Sequence, residues 1–377
     1  MIKNTLKKLN IKRLNESARR LRRFLYDSAD LFIALPCRIF TRRRDFDGSG
    51  IKKILIIRND RIGDLILSTP ALRAVRETHP RCEIHLLINE YTKDLVINNP
   101  DINKLLTDEQ MLDKDYDMAI ALLPGYHQNY LTFKSGASFR AGYTGWGGGF
   151  FLTHKIKDDR ATRIRHEVLS ALEITGLFGC KTLNTELNVS VTNEGERFAE
   201  DFFRENSLNG SFVIIIHPGS SQEYIRWNKD NFAAVADYFI LEHRAKIVLL
   251  GSKNEKPLLE HIASKMSQKT ALLHSTALTN VVSALKRSNL FIGHSTGPMH
   301  IAAALKVPVT AIFGSAHPLD SFKEWGPWNT KNAIVSLDLG CKDCHPTDCK
   351  TFDCMKLIKP EDVIKAAESL IEWSKRR

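Results

Sequence analysis

From residue 51 onward, short runs that are apolar throughout alternate with stretches of helical length and one-sided polarity. Lys53-Ile54-Leu55-Ile56-Ile57 is followed by a helical pattern over 65–78 that stops before Pro80. Apolar runs at 83–88 and 116–123, a short helix at 91–97 and a helix at 165–177 complete the first set. The pattern restarts at Ser211. Strands are expected at 212–216, 246–251, 289–293 and 307–313, and helices at 228–242, 255–266, 279–287 and 298–305. A helix over 360–375, with Pro360 near its start, closes the chain. A strand without a polar face needs cover on both sides, which in water means a parallel sheet between helical layers. The expected class is α/β, with two doubly wound domains at 51–190 and 211–355, a join near 191–209 and a terminal helix at 356–377. A length of 377 residues suits two such units. Ligands in these sheets bind beyond the carboxyl ends of the strands, so the site is expected in the cleft where the two domains face each other.

Charge is unevenly placed. The net charge is +11, yet residues 1–50 alone hold 13 Lys/Arg against five acids. Within this extension Ile11, Leu14, Ala18, Leu21, Leu25, Ala29 and Phe32 fall on one helical face. Arg13, Arg19, Arg20 and Arg23 flank it, and Pro36 ends it. Two readings fit: a basic amphipathic helix over 11–35 lying on an anionic membrane surface, or a helix packed on the body with a solvated charged face. So regular an apolar stripe makes nucleic acid an unexpected partner. The first sizeable apolar run, 31–35, is too short and too late for a secretory signal, and none is long enough for a membrane span. A cytoplasmic location is therefore expected. With 43% apolar and 26% charged residues, the chain is neither disordered nor a disulfide scaffold.

Three loops after predicted strands carry chemistry. The first is Arg58-Asn59-Asp60-Arg61-Ile62-Gly63-Asp64. It lacks the Gly-x-Gly-x-x-Gly of a dinucleotide site, which disfavours a nicotinamide dehydrogenase. It offers a carboxylate, Asp64, where strand turns to helix. An aspartate there is more often a helix cap than a base, and both readings are kept. The second is His217-Pro218-Gly219-Ser220-Ser221, followed by Arg226 and Trp227. The third is Gly293-His294-Ser295-Thr296-Gly297-Pro298-Met299-His300. Loops of this kind point backbone N–H groups and a helix start at phosphate, although each is also readable as a plain turn. Glu255 either meets ribose hydroxyls or caps a surface helix. Phosphate loops in one half and a lone carboxylate in the other suit a nucleotide-activated donor facing an acceptor.

Several of these segments together resemble glycosyltransferase family 9, the ADP-heptose:lipopolysaccharide heptosyltransferases and their relatives: residues 57–77 (IRNDRIGDLILSTPALRAVRE), 217–227, 293–305 (GHSTGPMHIAAAL), 166–176 and 341–363. The resemblance implies a GT-B architecture of two Rossmann-like domains and inverting transfer without a catalytic metal. It implies Asp64 as general base beside Gly63, with Arg58 and Arg61 on the acceptor side. It also implies donor contacts from Ser220, Ser221, Arg226, Glu255, Thr296, Gly297 and His300. The partners implied are a nucleotide-sugar donor and an anionic lipid-linked glycan at the cytoplasmic face of the inner membrane. Two positions depart from the family pattern. Ile225 stands where a Lys is frequent and Ser295 where an Asp is frequent, which bears on the donor sugar. A different nucleotide sugar, or a catalytically silent nucleotide-sugar or carbohydrate-binding module, are the rival readings.

Seven cysteines are present, four of them spaced C-x2-C-x4-C-x4-C at Cys341, Cys344, Cys349 and Cys354. Four thiolates suit a structural Zn²⁺; four free thiols in a loop are the alternative. The glycine-rich segment 145–149 lacks the Lys-Ser/Thr of a phosphate loop and is expected as a mobile loop near the acceptor.

Overall fold

The computed structural model describes residues 46, 48–314, 317–341, 344, 346 and 349–375. The basic segment over 11–35, and with it the expected membrane helix, lies outside the described residues.

Two parallel six-stranded sheets form the body. The first contains β1 (Lys53–Ile57), β2 (Glu83–Leu87), β3 (Lys104–Leu106), β4 (Met118–Ala121), β5 (Phe139–Thr144) and β6 (His154–Lys157). The second contains β7 (Val213–His217), β8 (Lys246–Leu250), β9 (Ala271–Leu273), β10 (Leu290–His294), β11 (Val309–Phe313) and β12 (Asn332–Ser336). Their orders are β3-β2-β1-β4-β5-β6 and β12-β11-β10-β7-β8-β9, one pattern used twice. Each sheet reverses direction beside its first strand. The crevices at the ends of β1 and β4, and of β7 and β10, are therefore the places where the topology leaves room for a ligand. The central strands β1 and β7 are almost wholly buried, as their lack of a polar face requires.

One expectation is corrected and two are given detail. The helix predicted over 65–78 is two helices, Ile62–Leu67 and Thr69–Thr78. Pro70 has no N–H for the Ile66 carbonyl, and the Thr69 hydroxyl donates to that carbonyl at 2.7 Å instead. The Ser68 hydroxyl likewise donates back to the Asp64 carbonyl at 2.8 Å. The join expected near 191–209 holds a helix, Asn193–Glu205, that packs on the helix Leu278–Lys286. The glycine-rich segment is a loop over 145–148 that leads into a short helical turn, Gly149–Phe151, packed on the helix Tyr126–Lys134. The strands β3, β5, β6, β9 and β12 were not expected from the sequence; β3, β6 and β9, at three or four residues, are too short to show a period, and β5 (FRAGYT) and β12 (NAIVS) lack a continuous apolar run. The final helix, Pro360–Lys375, packs on β11 and β12.

The two lobes meet through two helix starts. The helix Gly297–Ala304 of the second lobe packs on Ile62–Leu67 of the first. The contact is close because each side presents a glycine. A Cβ on Gly63 would fall 2.6 Å from His300 Cδ2, and one on Gly297 would fall 2.8 Å from Ile62 Cγ2. Gly297→Ala is expected to cost about 1–3 kcal/mol of stability through this overlap. Trimming the obstructing side chain in Gly297→Ala/Ile62→Ala should return part of that loss. Strictly additive denaturation midpoints in the cycle would rule out the contact.

Candidate active site

Between the lobes lies a cleft of about 910 Å³. Its first-lobe wall comprises Asp60, Arg61, Ile62, Gly63, Asp64 and Tyr91. Ser220, Ser221, Glu255, Thr296, Gly297 and His300 line the second-lobe side. The structure thus brings together most of the residues that sequence reasoning had collected from loops far apart in the chain.

Asp64 is the third residue of the helix Ile62–Leu67, inside its first turn rather than at the cap, and that cap makes no side-chain hydrogen bond. The Asp64 carboxylate is bound by Arg58, whose Nη2 lies 3.2 Å from Oδ1 and whose Nε donates to the Asp64 carbonyl at 3.1 Å. Burial pushes the Asp64 acid up to about 7. The Arg58 charge opposes the rise, while the negative charges of Asp60 and Glu167 add to it. Arg58 is itself 1% exposed and does not line the cleft. Its remaining Nη1 donates to the Leu122 carbonyl at 2.7 Å, and Nη2 also reaches Glu167 Oε1 at 2.7 Å. The structure thus places the Arg58 guanidinium inside the first lobe, on the Asp64 and Leu122 carbonyls and the neighbouring carboxylates, rather than at the cleft surface where an acceptor contact was expected. Arg61, at the cleft wall, keeps its expected position. The loop that carries Asp60 and Arg61 is braced by Asn89, whose amide donates to the Asn59 and Asp60 carbonyls at 3.0 and 2.8 Å, and by the Tyr91 hydroxyl on Asp60 O at 2.7 Å.

On the second lobe, the loop after β7 and the loop after β10 are tied by His294. Trp227 N–H donates to its Nε2 at 2.9 Å, and its Nδ1 lies 3.3 Å from the Gly219 carbonyl. Full burial lowers this ring to about 3, so it is neutral, as one donor and one acceptor nitrogen require. Ser220 Oγ accepts from Gln222 N–H at 3.0 Å. Thr296 Oγ1 lies 3.1 Å from His217 Nδ1. Glu255 belongs to a capping box with Ser252, and the His217 ring beside it, together with the Ser252 N–H, holds its carboxyl down at about 2. The capping alternative is thus realised in a residue that still lines the cleft. His300 reaches the cleft edge, but burial lowers it to about 3, so it brings no positive charge to a diphosphate. Arg226 is a second correction. It is exposed, does not line the cleft, and its Nε donates to the Ser220 carbonyl at 2.8 Å, bracing the loop. Ile225 and Ser295, the two departures, do line the cleft.

Sequence reasoning gave no role to Glu167, Arg160 or Glu324. Glu167 is 1% exposed and bridges Arg58 to Arg160, whose Nη1 lies 2.9 Å from Glu167 Oε2. The partners in this bridge lie up to 109 residues apart, a pairing that no local spacing encodes. Among the described residues, no group of three or more His, Cys, Asp or Glu is placed to hold a metal ion, and Cys341 and Cys349 are exposed free thiols.

Residues 107–354 match the model of glycosyltransferase family 9 (heptosyltransferase), and the chain belongs to that family. It is similar to the lipooligosaccharide heptosyltransferase 2 of Campylobacter jejuni, 26% identical over 332 residues that span 83% of this chain and 96% of the relative. Its fold is similar to a family 9 glycosyl transferase from Veillonella parvula, with TM-score 0.74, 24% identity, and 85% and 97% of the two chains covered. It is also similar to the ADP-heptose lps heptosyltransferase II of E. coli, with TM-score 0.71, 19% identity, and 86% and 99% covered. The GT-B architecture is thus the architecture of this chain.

Glu324, on the short helix Phe322–Trp325, faces the first lobe 3.9 Å from Arg160. Neither of its oxygens has a hydrogen-bond partner among the described residues. Burial, then the charge of Glu167, push it from 4.5 up to about 8. Between those two values the folded chain keeps a proton that the unfolded chain releases, so Glu324 makes stability fall as pH rises through the window. Glu324→Gln is expected to raise the melting temperature at pH 8 and leave it nearly unchanged at pH 5. An equal change at both pH values would mean that the group stays ionised in the fold.

Proposed function

We propose that this chain transfers heptose, or a closely related sugar, from a nucleoside-diphosphate donor such as ADP-heptose to a hydroxyl of the lipopolysaccharide core, with inversion at the anomeric carbon. The first lobe, about 51–190, takes the anionic lipid-linked acceptor, and the second, about 211–355, takes the donor. The observation that carries this reading is the carboxylate of Asp64. It sits at the cleft wall, is brought to about 7 by burial, and faces hydroxyl and helix-start loops on the other lobe. A base is most useful when its pKa lies near the working pH.

In the proposed reaction the acceptor oxygen attacks the anomeric carbon as Asp64 takes its proton, and the bond to the donor phosphate breaks on the opposite side. The negative charge that grows on the departing diphosphate meets the Ser220 and Ser221 hydroxyls and the start of the helix Gly297–Ala304, where Gly297 N–H is the donor left over after Met299 and His300 N–H bond the Thr296 carbonyl. Glu255 lies where it can accept from a ribose hydroxyl, and Arg61 faces the acceptor's anionic groups. These protein groups supply the charge stabilisation in this scheme, and no metal is assigned a step. Having Ile225 and Ser295 in the cleft wall favours a second donor reading, in which the sugar is not the heptose of the relatives.

Two outcomes are expected. Asp64→Asn should lower transfer from ADP-heptose to heptose-deficient lipopolysaccharide by about 10²–10⁴-fold while ADP binding by calorimetry is kept. Wild-type turnover in that variant would refute the base, and nucleotide-sugar binding without turnover in the unmodified protein would favour a silent binding module. The basic segment over 11–35 is proposed to hold the enzyme on the cytoplasmic face of the inner membrane. Among the described residues no helix is long and apolar enough to cross a membrane. Leu21→Asp/Leu25→Asp should reduce co-sedimentation with anionic vesicles; unchanged partitioning would remove that role.

A further inference from the structure

The Arg58 guanidinium is shared among three carboxylates: its Nε lies 3.3 Å from Asp60 Oδ1, and its Nη2 serves the other two. Nη2 lies 2.7 Å from Glu167 and 3.2 Å from Asp64, so the nearer pairing is with the residue that does not reach the cleft. Glu167 is in turn gripped from the other side by Arg160, which Asp158 holds at 2.9 Å and which lies over the Tyr143 ring at 5.1 Å. The charges alternate from the cleft inward: Asp64, Arg58, Glu167, Arg160 and Asp158, with protonated Glu324 3.9 Å from Arg160. An arginine left alone with an aspartate closes into a two-pronged pair, which is the strongest way to quench a base.

We propose that Glu167 is a positioning residue that holds the Arg58 guanidinium back from such a pair, so that Asp64 keeps one oxygen's lone pairs available to the acceptor hydroxyl. The inference rests on reading Asp64 as the base. Geometry carries it: Nε of Arg58 donates to the Asp64 carbonyl and lies 3.3 Å from Asp60 Oδ1, and Nη1 donates to the Leu122 carbonyl, so Nη2 is the group that decides between Asp64 and Glu167. The other charges near Asp64 are Asp60 and Arg61 on its own loop. From the opposing helix comes His300, which is neutral and adds no charge. Facing Glu167 are Arg58, Arg160 and Glu324, with His166 adjacent in the chain. An opposite charge at this range favours the ionised form, commonly by about 1–3 pH units, so handing Arg58 wholly to Asp64 makes Asp64 a weaker base.

The test is the pH profile of kcat/KM, with ADP-heptose as donor and heptose-deficient lipopolysaccharide as acceptor. Glu167→Gln removes the competing charge with little change of shape. The acid limb of its profile should move toward lower pH by about one unit or more, and plateau kcat should fall about tenfold with KM for the donor kept. Glu167→Asp keeps the charge and should return the limb toward its wild-type position. If circular dichroism shows the single Gln variant unfolded, Glu167→Gln/Arg160→Gln leaves no stranded guanidinium and carries the same expected direction of shift. Activity lost or kept with an unmoved acid limb overturns the proposal. Asp64→Asn separates the two readings. Full activity there removes the base itself, whereas an inactive Asp64→Asn beside an unmoved limb in Glu167→Gln removes only the role given to Glu167.

Discussion

The structure is organised around a guanidinium with almost no access to water. Arg58 sits at the end of the central strand of the first sheet, 1% exposed, and each of its nitrogens is engaged, by the Asp64 and Leu122 carbonyls and by the carboxylates of Asp60, Asp64 and Glu167. A buried charge of this kind is costly unless paired, and removing one partner strands the other. The arrangement therefore ties the end of β1, the turn into the helix Ile62–Leu67, the end of β4 and the start of the helix Glu167–Gly176 into one unit. The orientation of Asp64 is a product of that unit rather than of its own loop.

What this unit faces is set by a second constraint, the close approach of two helix starts. Gly63 and Gly297 let the lobes meet where a side chain on either would collide. Both helix starts line the cleft beside Asp64, with Gly297, Pro298 and His300 bordering the space where a donor diphosphate is proposed to lie. Above it, neutral His294 clamps the loops after β7 and β10 to each other. The second lobe relies on hydroxyls and backbone N–H groups here. The arginine expected in the cleft is spent on bracing a carbonyl, and a leucine-sized isoleucine occupies the wall.

Much of the fold was readable because β1, β7, β10 and β11 are apolar on both faces, a pattern that permits little besides a covered parallel sheet. The short edge strands were not readable, since their pairing comes from neighbours rather than from any period of their own. Of the site, the glycine and hydroxyl loops could be collected from the chain because each follows a strand. The placement of Arg58 was misjudged for the opposite reason. Its position at a strand end looks like a ligand contact, and only the bridge from Glu167 and the Leu122 carbonyl shows where its donors go.

Residue types and their order alone determined that the chain makes two repeats of one α/β plan, and that phosphate-suited loops and a lone aspartate arise at strand ends. Hydrophobic period and turn chemistry are local, and local properties survive in a linear text. Which side of the lone aspartate meets the cleft, which acid shares its arginine, and how basic it becomes were decided by the tertiary structure. Those properties depend on burial and on charges up to 109 residues away, and neither burial nor distance exists until the chain has folded.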